Sequence, residues 1–406
     1  MGSAAQVADA LIAFAPTVAA ARARIDAVDP EAYARTRNAL EGAATRLSPY
    51  LTHGLIEVPE VLARVRRRHR VEPTHSLAFE LGWREFFHHV WRHLGEGILQ
   101  DRRPPIWSGA YAQTLPADLL EARTGVPVVD QAVRTLYADG WLHNHARLWL
   151  ASYVVHLRKV HWRIGADWMY GYLLDGDLAS NHLSWQWVAG TFSTKPYLFD
   201  AANVQRHAPA PWHSPGTVID QPRAVLETLA RSAPDVGPER RAPHEGVVPP
   251  VCIAMPPASL LDGFPLGSLS QWLEAVAATA SDTAAAVPVI HPWDLGERRT
   301  PGLGLIDPAL GHRFPWSVQR WRFVLQALRP QIARLYLGEA REALQALQTT
   351  GRPVQVRATL MPGWREALDE AAVRGVQITP VPREHADPET LQPSFTRFWK
   401  TIVPQP

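Results

Sequence analysis

Three short segments hold the residues best suited to chemistry. Asp175-Gly-Asp177-Leu-Ala-Ser-Asn181 sets two carboxylates two residues apart, ahead of an amide. Such a pair could hold a cation, but an EF-hand loop needs further ligands and a closing glutamate that this stretch lacks. Its plainer reading is a turn in which Asp177 caps the following helix. Gly140-Trp-Leu-His143-Asn144-His145-Ala-Arg147 puts Asn144 and Arg147 three apart, on one helix face. Its two histidines have no carboxylate or cysteine at a helpful spacing, so no metal site is expected. Trp185-Gln-Trp187, with Trp162 upstream, points two indoles to different sides of a helix. Core packing is the ordinary use of such residues, and electron hopping is the alternative.

The elements that must position these segments follow from periodicity. Apolar residues recur at helical spacing over 77–91, 128–136 and 147–157, so the first half reads as helical. Nine prolines between Pro209 and Pro250 mark a linker, with room for a helix at 221–232. Beyond it, apolar runs at 251–255, 287–291, 333–337, 354–358 and 376–381 read as strands. Amphipathic stretches at 268–280, 315–328, 339–349 and 364–374 read as helices. That alternation predicts an α/β domain with a parallel sheet. Gly302-Leu-Gly304 lacks the third glycine and the strand–turn–helix setting of a dinucleotide fingerprint. The expected organisation is a helical extension at 1–32, a helical domain at 33–207, a linker at 208–250 and an α/β domain of unassigned role at 251–406.

Composition narrows the class. A chain of 406 residues suggests two or three domains, and 46% hydrophobic with 20% charged residues excludes a mostly disordered chain. The net charge of +2 does not by itself predict a polyanionic partner. A single cysteine, Cys252, excludes an intramolecular disulfide framework and fits a reducing compartment, so a cytoplasmic location is expected. No transmembrane run is expected, and Met1 to Ala20 lacks the basic start of a signal peptide. The one basic run, Arg64-Val-Arg66-Arg67-Arg68-His69-Arg70, reads either as a solvated helix end or as a phosphate-contacting edge.

In order along the chain, several segments resemble the DNA photolyase/cryptochrome family. Residues 33–51 (YARTRNALEGAATRLSPYL) are similar to its phosphate-holding loop. Glu80-Leu-Gly-Trp83-Arg84-Glu85-Phe86 is similar to its E-x-x-W-R-E-F helix. Thr124-Gly-Val-Pro127-Val-Val-Asp130, the 140–147 segment, the 175–181 segment and Trp185-Gln-Trp187 complete the pattern. The resemblance implies an all-α FAD-binding domain followed by the α/β domain. It also implies that Tyr33, Thr45 and Ser48 contact the FAD phosphates, with Ala44 standing where a hydroxyl is usual. Arg84, Arg147, Asp175, Asp177 and Asn181 would complete the cofactor site, with Arg147 and Asp175 paired and Asn181 facing flavin N5.

The implied substrate is a flipped-out cyclobutane pyrimidine dimer. Trp83 and Trp187 would be its aromatic walls, Glu80 would bond the thymine edge, and Asn144 would lie opposite. Trp162 and Trp185 match the inner members of an electron-transfer chain. The third position falls near Gly109, leaving Trp107, Tyr111, Trp149 or Tyr153 as substitutes. Arg37, Lys195 and Arg206 would contact DNA. The implied activity is light-driven DNA repair by a deoxyribodipyrimidine photolyase-like carbon–carbon lyase. The alternative is a cryptochrome-like photoreceptor signalling through the C-terminal domain to a protein partner. No membrane partner is implied. The family usually places an α/β antenna domain ahead of the helical one, and 32 residues before Tyr33 are too few for it. The region from Val251 is then a transposed equivalent, an interaction module or an effector, and a second antenna chromophore is left open.

Overall fold

The computed structural model describes residues 14–233, 244–278 and 286–403. The first 13 residues of the expected N-terminal extension and the end of the helix expected at 268–280 lie outside them.

Six helices of the first half frame the site: α1 (Pro30–Thr36), α2 (Ser76–Leu94), α3 (Pro127–Asp139), α4 (Asn144–Ser152), α5 (Trp162–Tyr172) and α6 (Leu178–Ala189). Their ends are written in local chemistry. The His75 side chain accepts the Leu77 N–H (3.1 Å) at the start of α2. Before α3, the buried Asp130 carboxylate accepts the N–H (2.8 Å) and hydroxyl (2.8 Å) of Thr124 and the N–H of Gly125 (3.1 Å). The TG-x-P-x-VD motif is therefore a helix-starting device, with Pro127 in the first turn. Gly140 ends α3 at φ 61°, a left-handed conformation that favours glycine. Asp177 caps α6, accepting the Ser180 N–H at 2.8 Å, as its spacing suggested.

The second half forms a five-stranded parallel sheet of β1 (Val287–Ile290), β2 (Gly302–Ile306), β3 (Ile332–Leu337), β4 (Val354–Arg357) and β5 (Gln377–Thr379). The spatial order is β3-β2-β1-β4-β5. Its register sets Val289 beside Leu303 and Val287 beside Val354. Two expectations need correction. The run at 251–255 is not in this sheet; Cys252–Ile253 pairs antiparallel with Trp316–Ser317. The fully buried β2 was not anticipated, because glycines at 302 and 304 mask its strand character. A side chain at Gly302 would press on the Pro288 carbonyl of the neighbouring strand, so close strand approach requires the glycine. The Trp316–Ser317 pairing also delays the helix expected from 315. That helix, α7 (Val318–Leu328), starts where the Ser317 hydroxyl accepts the Arg320 N–H (3.2 Å). A last helix, α8 (Phe395–Ile402), lies against α2. Within the proline-rich stretch, Arg223–Arg231 is helical, as anticipated.

Two large cores organise the described residues, beside a small cluster of Leu198, Leu226 and Ala230. Of the two, the smaller joins α3, α4 and α5 to residues near Ile219. The larger runs from Phe14 through α2 and continues through the sheet to Phe398. The sheet and the first helices thus share one apolar interior rather than meeting across a thin polar seam.

Candidate functional site

Four stretches converge: α2, the loop before the short helix Ser48–Thr52, the start of α4, and the loop from α5 into α6. Arg147 donates two hydrogen bonds to the buried Asp175 carboxylate (3.0 and 2.7 Å), and its Nε bonds the Leu142 carbonyl (2.9 Å). One guanidinium nitrogen, Nη2, thus spans both carboxylate oxygens while Nε holds the backbone, and the charge-assisted contact fixes both side chains. On α2, Glu80, Arg84 and His88 recur every four residues and so share a face. Arg84 lies 3.4 Å and His88 2.7 Å from Asp177. Burial alone would raise the Asp177 carboxyl. His88 and Arg84 outweigh it and hold the group well below the usual carboxylate range.

Glu80 sits 3.2 Å from Arg37 at the end of α1. Burial pushes its carboxyl up, and Arg37 draws it back. The Arg37 carbonyl in turn lies 2.9 Å from His143 Nε2, tying α1 to α4. Burial, with Glu80 nearby, raises the half-buried Tyr33 phenol. The Ser48 hydroxyl accepts the Trp141 indole N–H (3.2 Å), and Arg46 lies over the Trp141 ring. Thr45 is half-buried in the same loop. Asn181 is buried and donates to the Ala166 carbonyl (2.8 Å).

Of the expected substrate contacts, Trp83 is half-buried and stacks face to face on Phe395 of α8, with centroids 4.0 Å apart and planes 13° apart. Trp187 packs against Tyr197 at 5.6 Å. Asn144 opens α4 and is exposed, as are Lys195 and Arg206. Trp185 is buried against Gly165. Buried Trp162 bonds Asp101, and ring contacts run from it through His161 (5.7 Å) to Tyr111 (6.3 Å) and Trp107 (5.0 Å). The basic run is taken up by carboxylates: Arg64 and Arg68 by Asp26, Arg66 by Glu384 and Arg70 by Glu72.

The sequence reading missed His88, although its spacing from Arg84 was open to inspection. It also missed three side chains that hold the 173–177 loop: Thr52, His53 and Arg320.

These residues fit a large, partly anionic cofactor. The donor set combines guanidinium groups with hydroxyls at half-buried positions. Two buried polar atoms in the first turns of α4 and α6, His145 Nδ1 and Ser180 Oγ, have no hydrogen-bond partner among the described residues. Buried polar atoms are seldom left unpaired, so both are natural points for a ligand's polar edge.

Helical fold and converging donors suit a flavin nucleotide. Comparisons with known proteins fall on the same helices. The family described as "FAD binding domain of DNA photolyase" matches residues 77–210. A deoxyribodipyrimidine photo-lyase of Streptomyces griseus is 37% identical over 155 residues, covering 37% of this chain and 32% of that protein. A cryptochrome DASH of Oryza sativa is 31% identical over 166 residues, covering 39% and 28%. A class III photolyase structure from Agrobacterium tumefaciens aligns with a TM-score of 0.47 at 22% identity, over 60% of this chain and 56% of that one. Over residues 77–210 the chain matches the FAD-binding domain of DNA photolyase and is similar to photolyases and cryptochromes, and the cofactor such a domain takes is FAD. The chain spans about a third of the length of the first two of these relatives. Among the described residues, no helix is long and apolar enough to cross a membrane.

Proposed function

We propose that the protein repairs cyclobutane pyrimidine dimers in DNA under blue light. The observation that carries this reading is on α2. Glu80, half-buried and paired with Arg37, lies one turn from Trp83, on the face that also sends Arg84 toward Asp177. A recognition group and an aromatic wall thus stand beside the cofactor's charged residues. FAD, when bound, supplies the light absorption and the transferable electron. The protein's own part is positioning. Trp83 and Trp187 bracket a base turned out of the stack, where its reactive bond becomes accessible. Glu80 orients the base edge by hydrogen bonding, with Asn144 opposite. Arg37, Lys195 and Arg206 meet phosphates, and this term weakens as salt rises. Trp185 and Trp162 lead electrons inward from the surface to the cofactor site.

The test is a single-turnover assay with photoreduced protein, a dimer-containing oligonucleotide and blue light, scored for restored thymines. Wild-type protein repairs. Glu80→Ala repairs at least about tenfold more slowly at unchanged FAD content, the scale of one lost hydrogen bond to a charged group. No repair by the photoreduced wild-type chain refutes the reading.

One observation favours a second reading, a light sensor signalling through its C-terminal region. Phe395 of α8 covers a face of Trp83, and Trp399 packs over Gly82. A sensor would release α8 on illumination. Equal protease sensitivity of residues 395–402 in light and dark would count against it.

A further inference from the structure

The loop Leu173–Asp177 carries both cofactor-site carboxylates, and its backbone is held in an unusual way. Three successive carbonyls each meet a side chain from elsewhere. Leu174 O lies 3.0 Å from His53 Nε2, Asp175 O accepts from Thr52 Oγ1 (3.3 Å), and Gly176 O accepts from Arg320 (2.6 Å). Arg320 is the outlier. It belongs to α7, in the α/β half, yet its guanidinium reaches across to the helical half and also donates to Tyr170 O (2.7 Å). It is 0% exposed. Among the described residues no carboxylate forms an ion pair with it. The rings of Trp316 (4.1 Å) and Tyr170 (4.5 Å) flank the cation instead.

Burying a guanidinium without a carboxylate is costly, and it is tolerated where its donors and ring contacts are well placed. A hydrophobic side chain of similar size would fill the same space without that cost. The planar fork does what such a side chain cannot, holding the carbonyls of Tyr170 and Gly176 at once, one at the end of α5 and one inside the loop. Position 176 is shaped to receive it: a methyl group there would collide with the guanidinium and with the Tyr170 carbonyl. His53 repeats the pattern, lying between Leu174 O and Pro292 O (2.6 Å), the latter just beyond β1. Buried and neutral, the His53 ring donates to one of these two carbonyls, so the α/β half grips the loop through Arg320.

We infer that Arg320 is a positioning residue of the FAD site, through which the α/β domain sets the Asp175–Asp177 loop for cofactor binding. The inference rests on the FAD site described above and not on repair, so losing the repair reading leaves its test intact.

The test uses the full chain and two readouts. Amide hydrogen exchange of residues 173–178 is followed in FAD-free protein, and FAD affinity is measured by titration against flavin fluorescence. Arg320→Met keeps the volume and removes the donors. Exchange in the loop rises and FAD affinity falls, each at least about tenfold, the scale of one charge-assisted hydrogen bond. Arg320→Lys, which keeps the charge and a donor, falls between Met and wild type. Arg320→Gln, which removes the charge and keeps one donor, shifts both readouts in the same direction as Met if Arg320→Met fails to fold. Unchanged loop exchange overturns the inference. So does faster exchange with wild-type FAD affinity, which would make the contact a matter of domain docking alone. Lys behaving like Met would overturn the role assigned to the charge.

Discussion

Asp177→Asn separates charge from capping at the proposed cofactor site. Asparagine caps a helix about as well as aspartate, so the bond from the Ser180 N–H survives. What is lost is the negative charge facing His88 at 2.7 Å and Arg84 at 3.4 Å. Removing one partner of a buried pair costs about 3–5 kcal/mol. Here the partners keep 24% and 21% of their side-chain surface in water, so screening reduces this to roughly 2–3 kcal/mol. The pH dependence follows from the sign of the shift. The carboxyl sits below its ordinary value in the folded chain, so its contribution is present above about pH 4 and lost as pH falls below that. Urea unfolding of the FAD-free chain at neutral pH, and again between about pH 4 and pH 2, tests this. The variant is less stable by roughly 2–3 kcal/mol at neutral pH, and the gap closes in acid. Equal stability at neutral pH, or a gap that persists undiminished in acid, refutes the reasoning. Asp177→Ala, which also removes the cap, loses about 1 kcal/mol more.

Other expectations concern the same framework. Burial holds His156 to about 4, below the ordinary 6.5, so the unfolded chain takes up a proton that the folded chain refuses. Its share of stability is complete above about pH 6.5 and shrinks by about 2 kcal/mol at pH 5. His156→Gln should therefore flatten the slope of urea midpoints between neutral and mildly acid pH; an unchanged slope would be contrary. Burial likewise lowers His143 and His145 to about 4 and His53 to about 3, and also lowers His182, His291 and His385, so the remaining slope is shared among them. Asp130→Ala removes three hydrogen bonds at the start of α3 and should cost about 3 kcal/mol in thermal or urea melts. Trp185→Phe should slow light-driven reduction of bound flavin without lowering FAD content. An unchanged rate by absorbance would remove Trp185 from the electron path.

What the sequence made legible depended on the range of the interaction. Asp177 as a cap and the Arg84–His88 face of α2 are local consequences of spacing, though only the first was read. Arg147 and Asp175 are 28 residues apart, and only the ordered set of motifs suggested their pairing. Arg320 could not be read at all. Its partners are backbone carbonyls 150 and 144 residues away, and a carbonyl leaves no trace in a residue's identity. β2 was hidden for a different reason. Its two glycines lower strand propensity, and only the approach of neighbouring backbones explains them.

The order β3-β2-β1-β4-β5 reverses direction between β1 and β4, where open parallel sheets usually receive ligands beyond the strands' carboxyl ends. Here the chain's own groups fill that edge. His291, after β1, lies 2.9 Å from the carbonyl of Arg357, at the end of β4, and its ring is covered by Trp364 at 4.9 Å. The Arg357 guanidinium pairs with Glu57 of the helical half and sits 3.5 Å from Asp294. The Leu295 N–H donates to His53 O (2.9 Å). The adjoining cavity, lined by Trp293, Trp316, Trp321 and Trp364, has a volume of about 10 Å³, room for one water. A second chromophore bound at this edge would have to displace the Glu57–Arg357 pair and part the two halves. The same edge delivers Pro292 O to His53, and α7 delivers Arg320. The sheet's customary ligand face is therefore spent on gripping the helical half, and the grip ends on the loop that carries Asp175 and Asp177.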